Sequence, residues 1–437
     1  MSHKFVVIGA GSLSFGTMTV RDLMEAPELK GSEIVLVDLD EARLDRMTRL
    51  ARRLNETWQA NMKITATTDR CEALPGADIV VGAVERNRYK LWQMDIEIPR
   101  KHGCGELYGE NGGPGGFFHT LRQVPITLDI ARDIERLCPN AWFVNMSNPE
   151  SRLTLAIKRY TKVKTVGVCL ATYITRRNLA TKVLGLPEEE VDVKAAGINH
   201  CHWVMDIRRN GTGEDLYPAV REKIKAVDPK WEPVSRECLR RFGYYPGPGD
   251  THVGEYISWA ATLMPPDYTH LDRHWIFEGD QYVAKMTVAL EKFAGGHGPL
   301  SADELEEFMV ERGYRWQTLD IILSLLDNGN RYVLAVNVPN EGYVTNLKQG
   351  AIIEIPAIVG ADRIYGLGMG ELPTSIASLM NLQLDVMDLN IEAAVTGDRQ
   401  TALEGLILDP LTPDPRTAEK ILDDMLVAEA DYLPQFK

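Results

Sequence analysis

The stretch KFVVIGAGSLSFG at residues 4–16 limits what this chain can fold into more than any other. A short apolar run rich in β-branched residues ends at Gly9 and Gly11 and gives way at once to helical spacing. Strand, tight turn and helix in that order aim backbone N–H groups and a helix N-terminus at one place, where a pyrophosphate can bind. Ser12 and Leu13 continue the turn and are expected to share that contact. Ser14 stands where the usual fingerprint has its third glycine.

The turn opens a repeating pattern. EIVLVDLD (33–40), DIVVGAV (78–84), AWFVNMSNP (141–149) and VKTVGVC (163–169) read as buried strands, and helical spacing fills the gaps between them. That alternation predicts an α/β fold, a Rossmann-like doubly wound parallel sheet. Right-handed crossovers bring the C-terminal ends of such strands to one edge, where ligands bind. Asp38 ends the second run, the place from which an acid holds a ribose hydroxyl, and so favours NAD over NADP. A structural turn with a helix-capping Asp is the competing account.

The pattern changes near residue 190, which predicts a nucleotide-binding domain over 1–190 and a mixed α+β lobe over 191–437. VDVKAAGINHCHWVMDIRRNG looks like a strand pair, and helical stretches fill roughly 216–330. NRYVLAVNVPNEGYVTNL and AIIEIPAIVG suggest a small antiparallel sheet before the C-terminal helices. GYYPGPGD (243–250) must be irregular and reads as a functional loop.

Composition removes several function classes. A formal charge of −14 with no basic run opposes a nucleic-acid partner. No stretch approaches the roughly 20 apolar residues of a membrane span. A strand pattern within a few residues of the N-terminus leaves no room for an export signal, so a cytoplasmic location is expected. The six cysteines (Cys71, Cys104, Cys138, Cys169, Cys201, Cys238) are scattered without a CxxC pair, so any functional cysteine acts singly.

Several polar groups end strand-like runs on the expected ligand edge. Asn145 and Asn148 could bond a sugar hydroxyl or the nicotinamide carboxamide, or could merely close a turn before Pro149. Cys169 ends another run, and His200 lies in AGINHCHW. One thiolate and one imidazole leave a metal shell open to substrate hydroxyls and water; His202 is not counted with them. GPGDTHVGEY (247–256) offers Asp250, His252, Glu255 and Tyr256 as acid/base candidates, or a capping Asp at a helix start. ELYGENGGPGGFFHTLRQVP (106–125) permits close backbone approach to a ligand.

In order along the chain, GAGSLSFG, LVDLD, DIEIPRKHG, ENGGPGG, LRQVP, NMSNPES, VGVC, AGINH, NVPNEGYVTNLK and LILDPLT resemble glycoside hydrolase family 4 over about 4–412. The resemblance implies an NAD- and divalent-metal-dependent glycosidase, an exception to the two-carboxylate scheme of most glycosidases. In such a reaction NAD takes a hydride from sugar C3, the ketone acidifies the C2 proton, a base removes it, and the leaving group departs from C1. Water then adds and the hydride returns. The metal, Mn²⁺ or another divalent ion, polarises the C2 and C3 oxygens.

Cys169 and His200 match the family's metal ligands, Asn148 its substrate-binding asparagine, and Asp250 the C2 base of the α-glycosidase branches, with His252 the neighbouring candidate. Homodimers or homotetramers are also implied.

Two departures matter. Leu170 follows Cys169 where the family usually has a polar residue, so Thr172, Tyr173 or water must serve the leaving group. Trp92 stands where phospho-sugar branches carry Arg and offers a sugar an apolar platform, which favours a non-phosphorylated hexose or uronic acid. Arg88 and Arg86 nearby could meet a carboxylate. A 6-phospho-glycosidase of the same family, a 2-hydroxy-acid dehydrogenase and a non-catalytic NAD-binding module are the alternatives.

Overall fold

The computed structural model of the chain describes residues 2–13, 15–264, 274–312 and 317–437. Its strands are β1 (Lys4–Ile8), β2 (Glu33–Val37), β3 (Lys63–Thr67), β4 (Ile79–Gly82), β5 (Trp142–Asn145), β6 (Lys164–Gly167), β7 (Val191–Ile198), β8 (Cys201–Arg209), β9 (Tyr245–Gly247), β10 (Arg331–Pro339), β11 (Ile352–Val359) and β12 (Ile364–Gly366). Among the described residues they form one sheet in the order β3-β2-β1-β4-β5-β6-β10-β11-β7-β8-β9, with β12 beside β11.

The first six strands pair in parallel in the dinucleotide-fold order 3-2-1-4-5-6. Helices cover both faces of this half, so β1, β2, β4 and β5 are buried almost throughout and read as unbroken apolar runs. Each Val, Ile or Phe sealed there contributes about 1.5–3 kcal/mol. β3 departs from that rule. It is an outer strand with the mostly exposed sequence KITAT, so its lack of an apolar run hides it from sequence reasoning.

The sheet changes sense at β6, whose far edge meets β10 antiparallel at Gly167↔Asn337. β10 and β11 form a long antiparallel pair, β11 meets β7 at Glu354↔Gly197, and β7 turns back into β8. The expected antiparallel pair is continuous with the main sheet: pairing with β10 satisfies backbone groups that β6 would otherwise bury unpartnered. The main hydrophobic cluster likewise runs from Phe5 and Val166 through Ile198 and Trp203 to Val336 and Ile355. The Gly/Pro-rich stretch at 243–250 is also more regular than expected, since Tyr245–Gly247 pairs with β8.

The helix Gly113–Leu137 follows the glycine-rich loop with its first half buried. Phe117 and Phe118 lock it against Leu406, Ile421 and Leu422 of the C-terminal helices. An ion triad closes the same side: Arg122, 2.6 Å from both Asp95 and Glu429, ties this helix to the C-terminal segment.

Candidate active site

Every loop that leaves the C-terminal end of a parallel strand opens on one edge, and the predicted residues gather there. After β1, Gly9 adopts φ +82°, and a Cβ there would lie 2.2 Å from the Ala83 carbonyl oxygen. Gly11 donates its N–H to Asp38 Oδ2 at 2.8 Å, while Asp40 N donates to Asp38 Oδ1 at 2.9 Å. Asp38 thus pins the glycine turn to the end of β2. Ser12 Oγ accepts from Phe15 N at 3.2 Å, and Leu13 packs on the core. Ser14 lies outside the described residues.

The close packing of helix on strand falls instead to Gly16, where a Cβ would stand 2.2 Å from the Ala10 carbonyl oxygen. The third glycine of the fingerprint is present, displaced by two positions. Spacing alone conceals it.

At the end of β5, Asn145 is sealed from solvent. Its Oδ1 accepts from Ser147 N at 3.2 Å, and its Nδ2 reaches Ser147 O and Thr154 Oγ1, both at 3.4 Å. Its carboxamide therefore closes the turn rather than facing a cofactor, which corrects the nucleotide-contact expectation. Asn148, half-buried, hydrogen-bonds the Glu110 carboxylate from the same turn.

Cys169 follows β6, and His200 occupies the reversal between β7 and β8 with φ +66°. From these two elements Cys169 Sγ and His200 Nε2 approach to 3.2 Å. Two further residues converge. Glu110 Oε2 is 4.0 Å from His200 Nδ1, and the His252 ring centroid is 4.1 Å from that of His200. One ligand atom each from Glu110, His200 and His252 lies within 4.8 Å of the others.

His200 Nδ1 and His252 Nδ1 are buried without a hydrogen-bond partner, a deficit of roughly 1–3 kcal/mol each in a closed protein. Two imidazoles and a carboxylate with ligand atoms within 4.8 Å of one another, and the Cys169 thiol 3.2 Å from His200 Nε2, fit a divalent cation of the Mn²⁺ or Zn²⁺ kind.

Burial and neighbouring charges set the protonation of these groups. Burial, with help from the Glu354 charge, pushes the Cys169 thiol up to about 12. Burial and the neighbouring His252 hold His200 well below its usual range, so its imidazole is neutral. Burial works against the charge of Glu110, but Arg88, His252 and His119 outweigh it and keep the carboxylate below its ordinary range.

One buried acid braces the Cys169 and His200 segments together. Glu354 on β11 accepts from Thr172 Oγ1, from Asn199 Nδ2 at 2.5 Å, and approaches His202 Nδ1 at 3.0 Å. Thr172 sits one turn beyond Cys169, and Asn199 directly precedes His200. His202 is thereby committed to the brace, with Thr175 Oγ1 2.9 Å from its other nitrogen. Thr172 donates into the brace and Tyr173 bonds the Leu334 backbone, so neither hydroxyl that might stand in beside Leu170 is free.

Two further expectations are corrected. Asp250 is fully buried: its Oδ2 accepts from Val234 N at 2.6 Å, and its Oδ1 accepts from Ser235 N and Ser235 Oγ, both at 2.7 Å. Both oxygens cap the helix Pro233–Phe242, whose first-turn N–H groups need partners.

Trp92 is 3% exposed, donates its indole N–H to the Tyr108 carbonyl, and carries the Arg88 guanidinium 4.3 Å from its ring centre. It offers a sugar no open face; it supports Arg88. Arg88 in turn pairs with Glu85 and, at 2.7 Å, with Glu110, so its charge is spent on the cluster. Glu110 and Glu354 were not singled out by sequence reasoning. The glycine-rich stretch around Glu110 was the one available signal.

Fold and site together define a Rossmann-type α/β protein whose strand-end edge gathers a metal-type donor set beside a dinucleotide turn. The sequence profile described as Family 4 glycosyl hydrolase matches residues 4–185, and that of the Family 4 glycosyl hydrolase C-terminal domain matches residues 195–412. The chain belongs to this family, and it is a glycosidase; the dehydrogenase and non-catalytic readings fall away.

It is 30% identical over 442 residues to an alpha-galactosidase of Bacillus subtilis, covering 99% of this chain and 100% of that one. It is also 30% identical over 478 residues to an alpha-glucosidase of Erwinia rhapontici, covering 100% of both. A solved 6-phospho-beta glucosidase of Thermotoga maritima, with manganese, NAD+ and glucose-6-phosphate, shares the fold with a TM-score of 0.81 at 23% identity, covering 98% of this chain and 99% of that one.

Proposed function

We propose that this chain is an α-glycosidase of a non-phosphorylated hexose or uronic acid, using NAD and Mn²⁺ or a similar divalent ion. The observation that carries the reading is the meeting of Cys169 Sγ and His200 Nε2 at 3.2 Å, with Glu110 and His252 closing in, at the strand edge that carries the Gly9–Gly11 turn. When bound, the nicotinamide would accept and return a hydride at sugar C3, and the cation would polarise the C2 and C3 oxygens.

The chain's residues divide the remaining work. Gly9, Gly11 and the start of the helix Phe15–Glu25 would receive the pyrophosphate on backbone N–H groups, with Asp38 holding that turn in place. Cys169 and His200, with Glu110 and His252, would grip the cation, and Asn148 would orient the sugar from the β5 turn. A cation-bound His252 has no ring nitrogen left for the C2 proton, and with Asp250 engaged in a helix cap the C2 base is left unassigned. Thr172 and Tyr173 being engaged, water would protonate the leaving group.

In this reading residues 1–190 supply the nucleotide site and residues 191–437 the imidazoles. A cytoplasmic location and a homodimeric or homotetrameric assembly belong to it as well, checked by fractionation and light scattering.

The named α-galactosidase and α-glucosidase relatives support a neutral α-linked sugar. The deciding experiment is a screen of aryl glycosides, including uronides and 6-phosphates, with NAD and Mn²⁺ present. Release from non-phosphorylated α-glycosides, abolished by chelator and slowed by deuterium at C2 or C3, is expected. Release from the 6-phosphates alone overturns the substrate assignment.

A further inference from the structure

Glu255 is wholly buried, yet it carries none of the roles described so far. Its Oε1 accepts three successive backbone N–H groups of the glycine-rich loop: Glu110 at 2.6 Å, Asn111 at 2.8 Å and Gly112 at 3.3 Å. Three consecutive amides converging on one oxygen form a nest, a backbone concavity built for an anion. The loop is pressed so closely on this residue that a Cβ on Gly112 would lie 2.5 Å from the Glu255 carbonyl oxygen.

The other carboxylate oxygen, Oε2, has no hydrogen-bond partner and lies 3.5 Å from His252 Nδ1. One side chain thus faces the backbone of Glu110 and the ring of His252, two of the three members of the Glu110, His200 and His252 cluster.

We propose that Glu255 is the positioning residue of the metal centre: it fixes the loop that presents Glu110 and orients the His252 ring so that its second nitrogen faces the cation. The inference rests on the metal-dependent reading above. Carboxylates that hold the far nitrogen of a metal-binding imidazole set its tautomer and ring angle, and their loss weakens metal affinity by about 10–100-fold. Glu106 anchors the outer parts of the same loop, accepting from Gly109 N at 3.0 Å and Gly115 N at 3.1 Å. Only Glu255 also reaches an imidazole of the cluster.

The test is Mn²⁺ binding followed by electron paramagnetic resonance in the full-length protein with NAD present, with NAD affinity measured in parallel. Glu255→Gln keeps the side-chain volume and an oxygen for the loop amides, but presents an amide to His252. It is expected to weaken Mn²⁺ binding about 10–100-fold while leaving NAD affinity within about threefold. Glu255→Asp, which withdraws the carboxylate from the loop, serves as the second variant if the first does not fold, with the same expectation.

In a Glu110→Gln background, Glu255→Gln is expected to add clearly less than its full effect. Unchanged Mn²⁺ affinity in the folded Glu255 variants, or full additivity with Glu110→Gln, overturns the positioning role. Cys169→Ser separates the two levels. If it binds Mn²⁺ as the parent does, the metal-centre reading itself fails, whereas its loss of Mn²⁺ alongside an unaffected Glu255→Gln sinks only the present inference.

Discussion

Substitution of Glu354 gives the sharpest check on how the centre is assembled. The side chain is 1% exposed and serves Thr172 Oγ1, Asn199 Nδ2 and His202 Nδ1. Glu354→Ala strands two buried donors, Thr172 Oγ1 and Asn199 Nδ2, at roughly 1–3 kcal/mol each before relaxation, and removes the carboxylate 3.0 Å from His202 Nδ1. Because the charge and its desolvation cost disappear together, a net loss of about 3–5 kcal/mol is the reasoned figure. Glu354→Gln keeps the volume but sets an amide N–H₂ against a donor and removes the charge-assisted bonds, for a loss of about 1.5–3 kcal/mol.

The pH dependence has a definite sign. Burial alone would raise the Glu354 carboxyl, but the His202, Thr172 and Asn199 contacts prevail and its folded value is lowered. Its stabilising share is therefore complete above the unfolded carboxylate value of about 4.3 and disappears as pH falls through the lower folded value. The difference between parent and Glu354→Gln should be full at neutral pH and shrink in acid. Urea unfolding followed by tryptophan fluorescence at several pH values measures it. A Gln variant within about 0.5 kcal/mol of the parent at neutral pH, or a difference that grows in acid, would refute the reasoning.

Three other outcomes are expected. Gly16→Ala, whose Cβ meets the Ala10 carbonyl at 2.2 Å, should push the helix Phe15–Glu25 off β1 and lower NAD affinity at least about tenfold by calorimetry, and unaltered binding would show that the close approach is idle. Because the Cys169 thiol stands at about 12 while His200 is already neutral, loading the cation should release about one proton, so Mn²⁺ affinity should rise about tenfold per pH unit across the neutral range; a flat profile contradicts a thiolate ligand. Arg122→Met leaves Asp95 and Glu429 buried without their cation and should cost about 3–5 kcal/mol in urea unfolding, with earlier proteolysis of the C-terminal segment; a loss below about 1 kcal/mol would mark the triad as dispensable.

How much of this can be read from sequence follows from which forces act locally. The parallel half is legible because strands buried on both faces must be apolar throughout, as in KFVVI and EIVLV. KITAT escapes because an exposed outer strand carries no such mark. The nearness of Cys169 and His200 is legible through the family resemblance, since the strand-edge rule covers Cys169 after β6 but not His200 in the β7–β8 hairpin. Glu354 is not: its partners lie 182 and 155 residues away, and nothing near residue 354 signals them. Asp250 shows the converse. A carboxylate at a loop-to-helix junction looks the same in sequence whether it faces a substrate or, as here, the amides of another helix. Gly16 shows that a fingerprint is a set of contacts, which a shift of two positions can preserve.

The way β11 reaches back to brace Thr172 and Asn199 also sets a schedule for the chain as it leaves the ribosome. The glycine turn and the cysteine emerge early, but the acid that ties the cysteine's helix to the histidine's hairpin is not made until residue 354. A nascent or truncated polypeptide ending before that point lacks the carboxylate that ties the Cys169 and His200 segments together.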